Sequence, residues 1–366
     1  MPRSRTNLLP RTVVPPAIVQ IAAIAAVAAI GSTAIAASGG GQAVATAADV
    51  TRTASPHPVA APASTPPVAR LDITQFRARV VPPAAPAAAR HPRAAIPATA
   101  HHAPARRWLP TGTGMWIYEW NKTNGGRPAA VVAKARAAGL TTLFVRSGST
   151  HDGFTGTPVL RALLPATRGT ALHVVAWDFP ELKHPAADAR RLARAARVNI
   201  GGSTIAAVAP DIETGAEGTH SSPKRVRAYL SALRRLLPRH VAILTTTPWP
   251  SHARIGRYPY GTVANYSDAL LPMAYWYNNS PALVTSRSMA LLRHYHRPVM
   301  PVGQGYDGKL DVPSLPHNNL RKQVPSFFAT AHRLGAPAVS LWSWQAAPPA
   351  AWVALSHARH WFPAKR

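Results

Sequence analysis

The stretch Ile205-Ala-Ala-Val-Ala-Pro-Asp-Ile-Glu-Thr214 is an apolar run that breaks off in two carboxylates. The run has the length and texture of a strand buried on both faces. Residues i and i+2 of a strand point to the same side with Cα atoms roughly 6 to 7 Å apart, so Asp211 and Glu213 are predicted to share one face at the strand's C-terminal end. In parallel α/β sheets and barrels that end is where ligands bind. An ordinary ion pair with one of the chain's many arginines is the competing reading of either acid.

Outward from this stretch, short apolar runs alternate with helical patterns from Trp108 onward. The runs are Met115 to Trp120, Thr142 to Val145, Ala171 to Trp177, Ile205 to Ile212, Val241 to Thr246, Ala269 to Tyr275, Val299 to Gly303 and Ala338 to Trp342. They recur every 26 to 40 residues, the repeat of a strand-helix unit. Pro128 opens a helix that closes at Gly139, and Pro185 opens another. Ser222-Pro223 is an N-cap followed by proline at N1, and Gly335 ends the seventh helix. The fifth crossover, Ser251 to Asp268, is rich in Gly, Pro and Tyr and has room only for a short or broken helix. Eight such units over residues 109–366 predict an α/β fold, a single (β/α)8 barrel. A doubly wound open sheet would carry a glycine-rich loop after its first strand. The one G-x-G-x-x-G match, Gly303 to Gly308, follows the seventh strand and leads into no helix.

The barrel is preceded by two segments of other character. Arg3, Arg5 and Arg11 precede an uncharged run from Ala17 to Ala37, so residues 1–38 read as a hydrophobic helix, either a signal peptide with Ala34-Ile-Ala36 as cleavage site or a membrane anchor. Residues 39–108 hold eleven prolines and no apolar period, and read as a disordered Ala/Pro-rich linker in which only Leu71 to Val81 has any pattern. The protein is accordingly expected outside the cell or at its surface, in contact with the membrane if the segment is uncleaved.

A formal charge of +28 invites a nucleic-acid reading. Its distribution argues against one: arginine outnumbers lysine 34 to 7 and is spread through linker and helices alike, with no aromatic-interleaved basic strip. With no cysteine, thiolate metal sites and catalytic thiols are excluded. No G-x-S-x-G, H-E-x-x-H or G-x-x-x-x-G-K occurs, the sixteen histidines are scattered, and neither metal nor cofactor is expected.

Acid is scarce, and where it falls is informative. Of thirteen Asp and Glu, eleven lie in the barrel region, and most sit at or just after a predicted strand: Glu119, Asp178, Glu181, Asp211, Glu213 and Asp307. Tryptophans follow the same rule, with Trp116, Trp120, Trp177, Trp249, Trp276, Trp342 and Trp344 on or just past strands. Aromatic faces beside carboxylates suit sugar rings, whose CH faces stack while their hydroxyls are hydrogen-bonded. Core packing under the loops is the alternative for each tryptophan.

Three landmarks together resemble family 18 (chitinase-like) glycoside hydrolases: Asp211-Ile-Glu213 closing strand four, Met273-Ala-Tyr275 on strand six and Leu341-Trp342-Ser-Trp344 on strand eight. The strand-four D-x-E also resembles, more loosely, family 25 (lysozyme-like) barrels, whose first-strand acid is echoed by Glu119. The family 18 resemblance implies Glu213 as proton donor, Asp211 and Tyr275 as holders of a substrate acetamido group, and Trp342 as floor of the sugar site. It also exposes departures: Ala206 and Ala209 stand where the family has acids, and Trp276 stands where an acid follows the tyrosine. The expectation is a hydrolase of a polysaccharide, an N-acetylated cell-wall glycan above all, acting as a monomer; the alternative is a barrel that binds such a glycan without cutting it. Catalysis falls to Glu213 and Asp211, with Glu119, Trp120, Asp178, Tyr275, Trp276, Asp307, Trp342 and Trp344 expected to bind substrate. Glu119, Asp178 and Asp307 are also candidates for a second catalytic carboxylate across the mouth.

Overall fold

In the computed structural model, residues 107–251, 254 and 256–362 are described. Eight parallel strands close on themselves: β1 (Gly112–Ile117), β2 (Thr142–Ser149), β4 (His173–Phe179), β5 (Ala207–Pro210), β6 (Ala242–Thr247), β7 (Ala269–Ala274), β8 (Val302–Gln304) and β9 (Ala338–Trp342). Each pairs with the next, and β1 pairs with both β9 and β2, which closes the barrel. A two-residue strand, β3 (Gly153–Phe154), folds back antiparallel on the end of β2 and has no counterpart in the sequence reading. The helices that follow the strands are α1 (Pro128–Ala137), α2 (Thr157–Ala166), α3 (Pro185–Ala193), α4 (Pro223–Leu236), α5 (Tyr260–Tyr266), α6 (Pro281–Leu292), α7 (Leu320–Arg333) and, after the last strand, α8 (Pro349–His357). The fold is thus the expected (β/α)8 barrel, with the fifth crossover helix short as its composition required.

Local chemistry sets these boundaries. Pro128, Pro185 and Pro223 stand in the first turn of their helices, and the Ser222 hydroxyl accepts the Arg225 amide at 3.4 Å. After α1 the Leu140 amide bonds the Ala135 carbonyl and the Gly139 amide bonds Arg136, the paired bonds of a Schellman cap. That geometry needs a left-handed residue, and Gly139 takes φ +73°. Gly335, at φ +77°, ends α7 in the same way. Strand β1 starts three residues earlier than its apolar pattern implies, since it pairs from Gly112 with Ala338 of β9, and at Gly114 the missing Cβ leaves room for Phe144 and Ser340 of its two neighbours.

Alternation divides the strands into two apolar layers. Outward-facing residues such as Met115, Leu143, Val208, Ile212, Ile243 and Leu341 pack under the helices. Inward-facing residues fill the barrel: Trp116, Phe144, Val175, Trp177, Ala207, Ala209, Ala242, Leu244, Ala269, Leu271, Met300, Val302 and Ala338. The interior is lopsided. Bulky rings from β1, β2 and β4, with Trp116 stacked on Phe144 at 4.3 Å, are accommodated by alanines from β5, β6, β7 and β9.

No helix among the described residues is long and apolar enough to cross a membrane. The segment 1–38 and the linker, including Leu71 to Val81, lie outside the described residues.

Candidate active site

The two layers fix which side chains reach the C-terminal mouth. On β5, Ala207 and Ala209 face inward and Val208 and Ile212 outward, which puts Asp211 and Glu213 inward at the mouth, one above the other. Strand pairing carries just past β5: the Asp211 amide bonds the Asp178 carbonyl at 2.9 Å, and Asp211 bridges to Thr246 of β6. The Tyr258 hydroxyl donates to the Ile212 carbonyl at 2.7 Å, pinning the residue between the two acids.

Both acids are deprived of partners. Asp211 is 7% exposed, and its Oδ1 is sealed in the protein without a hydrogen bond. Glu213 is partly buried, and among the described residues no donor reaches its carboxylate. Burial, then the negative charges of Glu217 and Asp178, push the Asp211 carboxyl up to about 7. Burial, then Asp211 and Glu217, hold Glu213 well above the usual carboxylate range against the opposing pull of Arg254. Glu217 is itself occupied as a capping box, accepting from the Thr214 amide and hydroxyl. Near neutral pH the pair therefore retains a proton that neither carboxyl would hold in water.

This has a consequence for stability. A carboxyl raised in the folded state stabilises the fold below about pH 4 and loses that contribution as pH rises through about 7. Moving Asp211 from 3.8 to about 7 corresponds to ~4 kcal/mol at most, shared with Glu213. Asp211→Asn removes this burden, so its melting temperature relative to wild type should climb by about 5 °C or more between pH 4 and pH 8. Parallel thermal melts at the two pH values check it; a gap that stays constant would place the proton elsewhere.

Around the pair stand aromatic side chains. Tyr275, two residues beyond Met273 on β7, is partly buried, and its hydroxyl bonds nothing among the described residues. Burial, then the charges of Asp211, Tyr277 and Glu213, keep its phenol protonated far above the ordinary range. Trp342 ends β9 on the inner face, 5.5 Å from Trp177, 6.0 Å from Trp116 and 6.3 Å from Tyr118, ring centre to ring centre. Trp116 and Trp177 are sealed beneath it, donating to Ser340 Oγ at 2.9 Å and the Ile117 carbonyl at 3.0 Å. Tyr118 completes the floor under the Arg146 guanidinium, 4.7 Å from its ring.

Other expected site residues are placed differently. Trp276 is wholly buried in the outer layer, 5.7 Å from Phe327 under α7, since it neighbours an inward-facing Tyr275. Trp344 is in the outer layer too, 4.6 Å from Trp352, with its indole donating to Asn124. Trp120 lies beyond the end of β1, and the turn that follows packs it on the outer layer. Asp178 points outward from β4 and is fully buried in a two-bond pair with Arg191 of α3, at 2.7 and 2.8 Å, while Arg191 also holds Asp188 at 2.6 Å. Asp307 caps its own loop, accepting from the Lys309 and Asn318 amides and facing His317 at 2.5 Å. Glu119 pairs with Lys122 at 2.8 Å. The sequence reading missed Tyr118, Glu217, Arg254, Tyr277, Tyr306 and Asp311. Period-two continuation of β1, β7 and β8 could have found Tyr118, Tyr277 and Tyr306, and the Thr214-x-x-Glu217 spacing of a capping box marks Glu217; nothing in the sequence marked Arg254 or Asp311.

Comparison with known proteins places the fold. No family model and no curated protein matches the chain. Among solved structures, the C-terminal domain of a Desulfitobacterium hafniense DCB-2 protein assigned as a chitinase aligns over 68% of this chain and 99% of its own, with a TM-score of 0.50 and 11% identity. A GH18 chitinase from Pseudoalteromonas aurantia aligns over 68% of this chain and all of its own, at TM-score 0.49 and 13% identity. The Bacillus cereus spore cortex-lytic enzyme SleL aligns over 67% of this chain and 73% of its own, at TM-score 0.48 and 11% identity. The class defined by this topology is the (β/α)8 barrel, the fold that the chain shares with these solved structures.

Proposed function

We propose that this barrel cleaves the glycosidic bonds of an N-acetylated glycan, with Glu213 as general acid and Asp211 as its partner. The observation that carries the reading is the Asp211–Glu213 pair itself: two inward carboxyls at the mouth that hold a proton near neutral pH and lack protein donors. Asp211 keeps a little exposed surface, and a substrate amide N–H would meet its other oxygen, which no donor among the described residues reaches. The carboxylates that the sequence offered for a second role, Asp178, Glu119 and Asp307, are engaged with Arg191, Lys122 and His317, and Asp311 is bound by Tyr277 and Tyr306, which favours the substrate's own acetamido oxygen as nucleophile.

In that sequence of steps Glu213 gives its proton to the leaving oxygen as the glycosidic bond breaks. The acetamido oxygen bonds the anomeric carbon, and Asp211, ionised as Glu213 turns over, steadies the N–H. Water then attacks the same carbon, giving its proton to the Glu213 carboxylate and reopening the ring formed by the acetamido group. Tyr275 is positioned to donate to the acetamido oxygen, and Trp342 to stack beneath the sugar ring. With the N-terminal segment as export signal or anchor, the substrate would be met outside the membrane, as cell-wall glycan.

The test is a matched pair of substrates. Chitin oligosaccharides should be shortened between about pH 4 and 8, the range in which perturbed carboxyls titrate, and their de-N-acetylated counterparts should not. Equal cleavage of both would remove the acetamido group from the chemistry. Binding of the acetylated oligosaccharide with no cleavage at any pH would instead favour a glycan-binding barrel, as the alanines at 206 and 209 would allow.

A further inference from the structure

Beyond Tyr275 the chain does something the reaction does not require. Tyr277 takes φ +48°, a left-handed conformation that a residue with a Cβ adopts only under constraint. The constraint is visible. Its amide donates to Gln304 Oε1 at 2.8 Å, and its carbonyl accepts from Asn318 Nδ2 at 2.6 Å, so two side-chain amides hold both of its backbone groups. These amides hold each other, Gln304 Nε2 donating to Asn318 Oδ1 at 2.9 Å, and Gln304 is fully buried. Asn318 Oδ1 also accepts the Gly308 amide at 2.7 Å, which fixes the loop after β8 to the same point.

The clamp delivers a phenol to a carboxylate. Tyr277 donates to Asp311 Oδ2 at 3.1 Å, and Tyr306 donates to the same oxygen. Both rings meet Tyr275 edge to face, at 6.5 and 6.0 Å between centres. Among the described residues no donor reaches Asp311 Oδ1, and that oxygen is not sealed from solvent. An acid whose one oxygen is saturated by two tyrosines and whose other oxygen is free is oriented as an acceptor. Sugar hydroxyls are the donors that such a site beside Tyr275 would meet.

We infer that Asp311, oriented by Tyr277 and Tyr306, forms an accessory sugar subsite on the β7–β8 side of the mouth, bonding a hydroxyl of a sugar beyond the one being cut. This rests on the reading of the mouth as a glycan site, but not on cleavage. Asp311 selects for chain length, and Tyr277 is a positioning residue that acts through it. A single ring makes few contacts, and a second anchored ring adds affinity without touching the chemistry.

Binding separates the two claims. With N-acetylglucosamine oligomers as probes, Asp311→Asn should weaken the tetramer about 10-fold or more by calorimetry and the dimer less than about 2-fold, because only the longer chain reaches the subsite and a bond to a charged acceptor is lost. Where the tetramer is cleaved, KM should rise with kcat within about 2-fold. Tyr277→Phe keeps the ring and the clamp and should weaken the tetramer about 3-fold, so it carries the test if Asp311→Asn melts more than about 5 °C below wild type. Equal weakening of both oligomers, or of neither, in the folded variant overturns the subsite. Wild type that binds the tetramer without cutting it leaves the subsite standing and removes only the hydrolase reading.

Discussion

Glu213→Gln is expected to lower kcat on an acetylated oligosaccharide by a factor on the order of 10² or more while binding of the same oligosaccharide stays within a few-fold of wild type. Glutamine has the shape of the acid but no proton to give. In the folded protein burial and Asp211 keep that proton on the pair at neutral pH, so the loss should be apparent across the whole active range. The fold should tolerate the change, because no protein donor among the described residues depends on the carboxylate. Asp211→Asn in the same assay takes away a neighbouring negative charge, lowering the pKa of Glu213, so activity should fall off at a lower pH than in wild type. Hydrolysis at an unchanged rate in Glu213→Gln would show that the acid lies elsewhere, with Glu119 the next to test.

Arg191→Met should have the largest effect on stability. Its guanidinium, 10% exposed, is the sole cation paired with Asp178 and Asp188 among the described residues, and these acids are 0% and 1% exposed. Removing it leaves two carboxylates buried without a counter-charge, a change that costs about 3–5 kcal/mol. For a domain of this size that is a fall of roughly 10 °C in melting temperature at pH 7. Burial already raises Asp178 even with Arg191 in place, so without the cation it should simply take up a proton in acid, and the deficit should shrink toward pH 4. Adding Asp178→Asn and Asp188→Asn to Arg191→Met should recover part of the loss at neutral pH. A melting temperature unchanged in the single variant would mean that the triad contributes nothing net.

The triad also bears on how the mouth is built. Asp178 lies next to the inward-facing Trp177 on β4, and its carbonyl receives the Asp211 amide. Its carboxylate, expected from sequence to serve the substrate, instead ties strand to helix under the site. Among the described acids, Asp211 and Glu213 on inward positions are left without cations, whereas Asp178, Glu119 and Asp307, on an outward position or on loops, are neutralised by a neighbouring base or backbone amides.

By itself the sequence determined the eightfold alternation of strand and helix, because apolar runs, proline starts and glycine stops are local signals that need no partner. It also determined that Asp211 and Glu213 share a face, since the period of a strand is two whatever surrounds it. The same period, followed from Tyr275 to Trp276 and from Trp177 to Asp178, already turns Trp276 and Asp178 outward. It fails where strands end. Trp342 and Trp344 are two residues apart and should share a face, yet Trp342 floors the mouth while Trp344 lies under the helices, because past Trp342 the chain turns and the Trp344 amide bonds the Trp116 carbonyl at 2.8 Å. Trp120 leaves the mouth in the same way once β1 has ended at Ile117. Only the tertiary structure decided that Arg191 would neutralise Asp178, and that Asp311, 36 residues beyond Tyr275, would meet Tyr277 and Tyr306 beside it. Such pairings depend on where a helix or loop comes to rest against a strand, and that is set by packing across the barrel, which no spacing along the chain encodes.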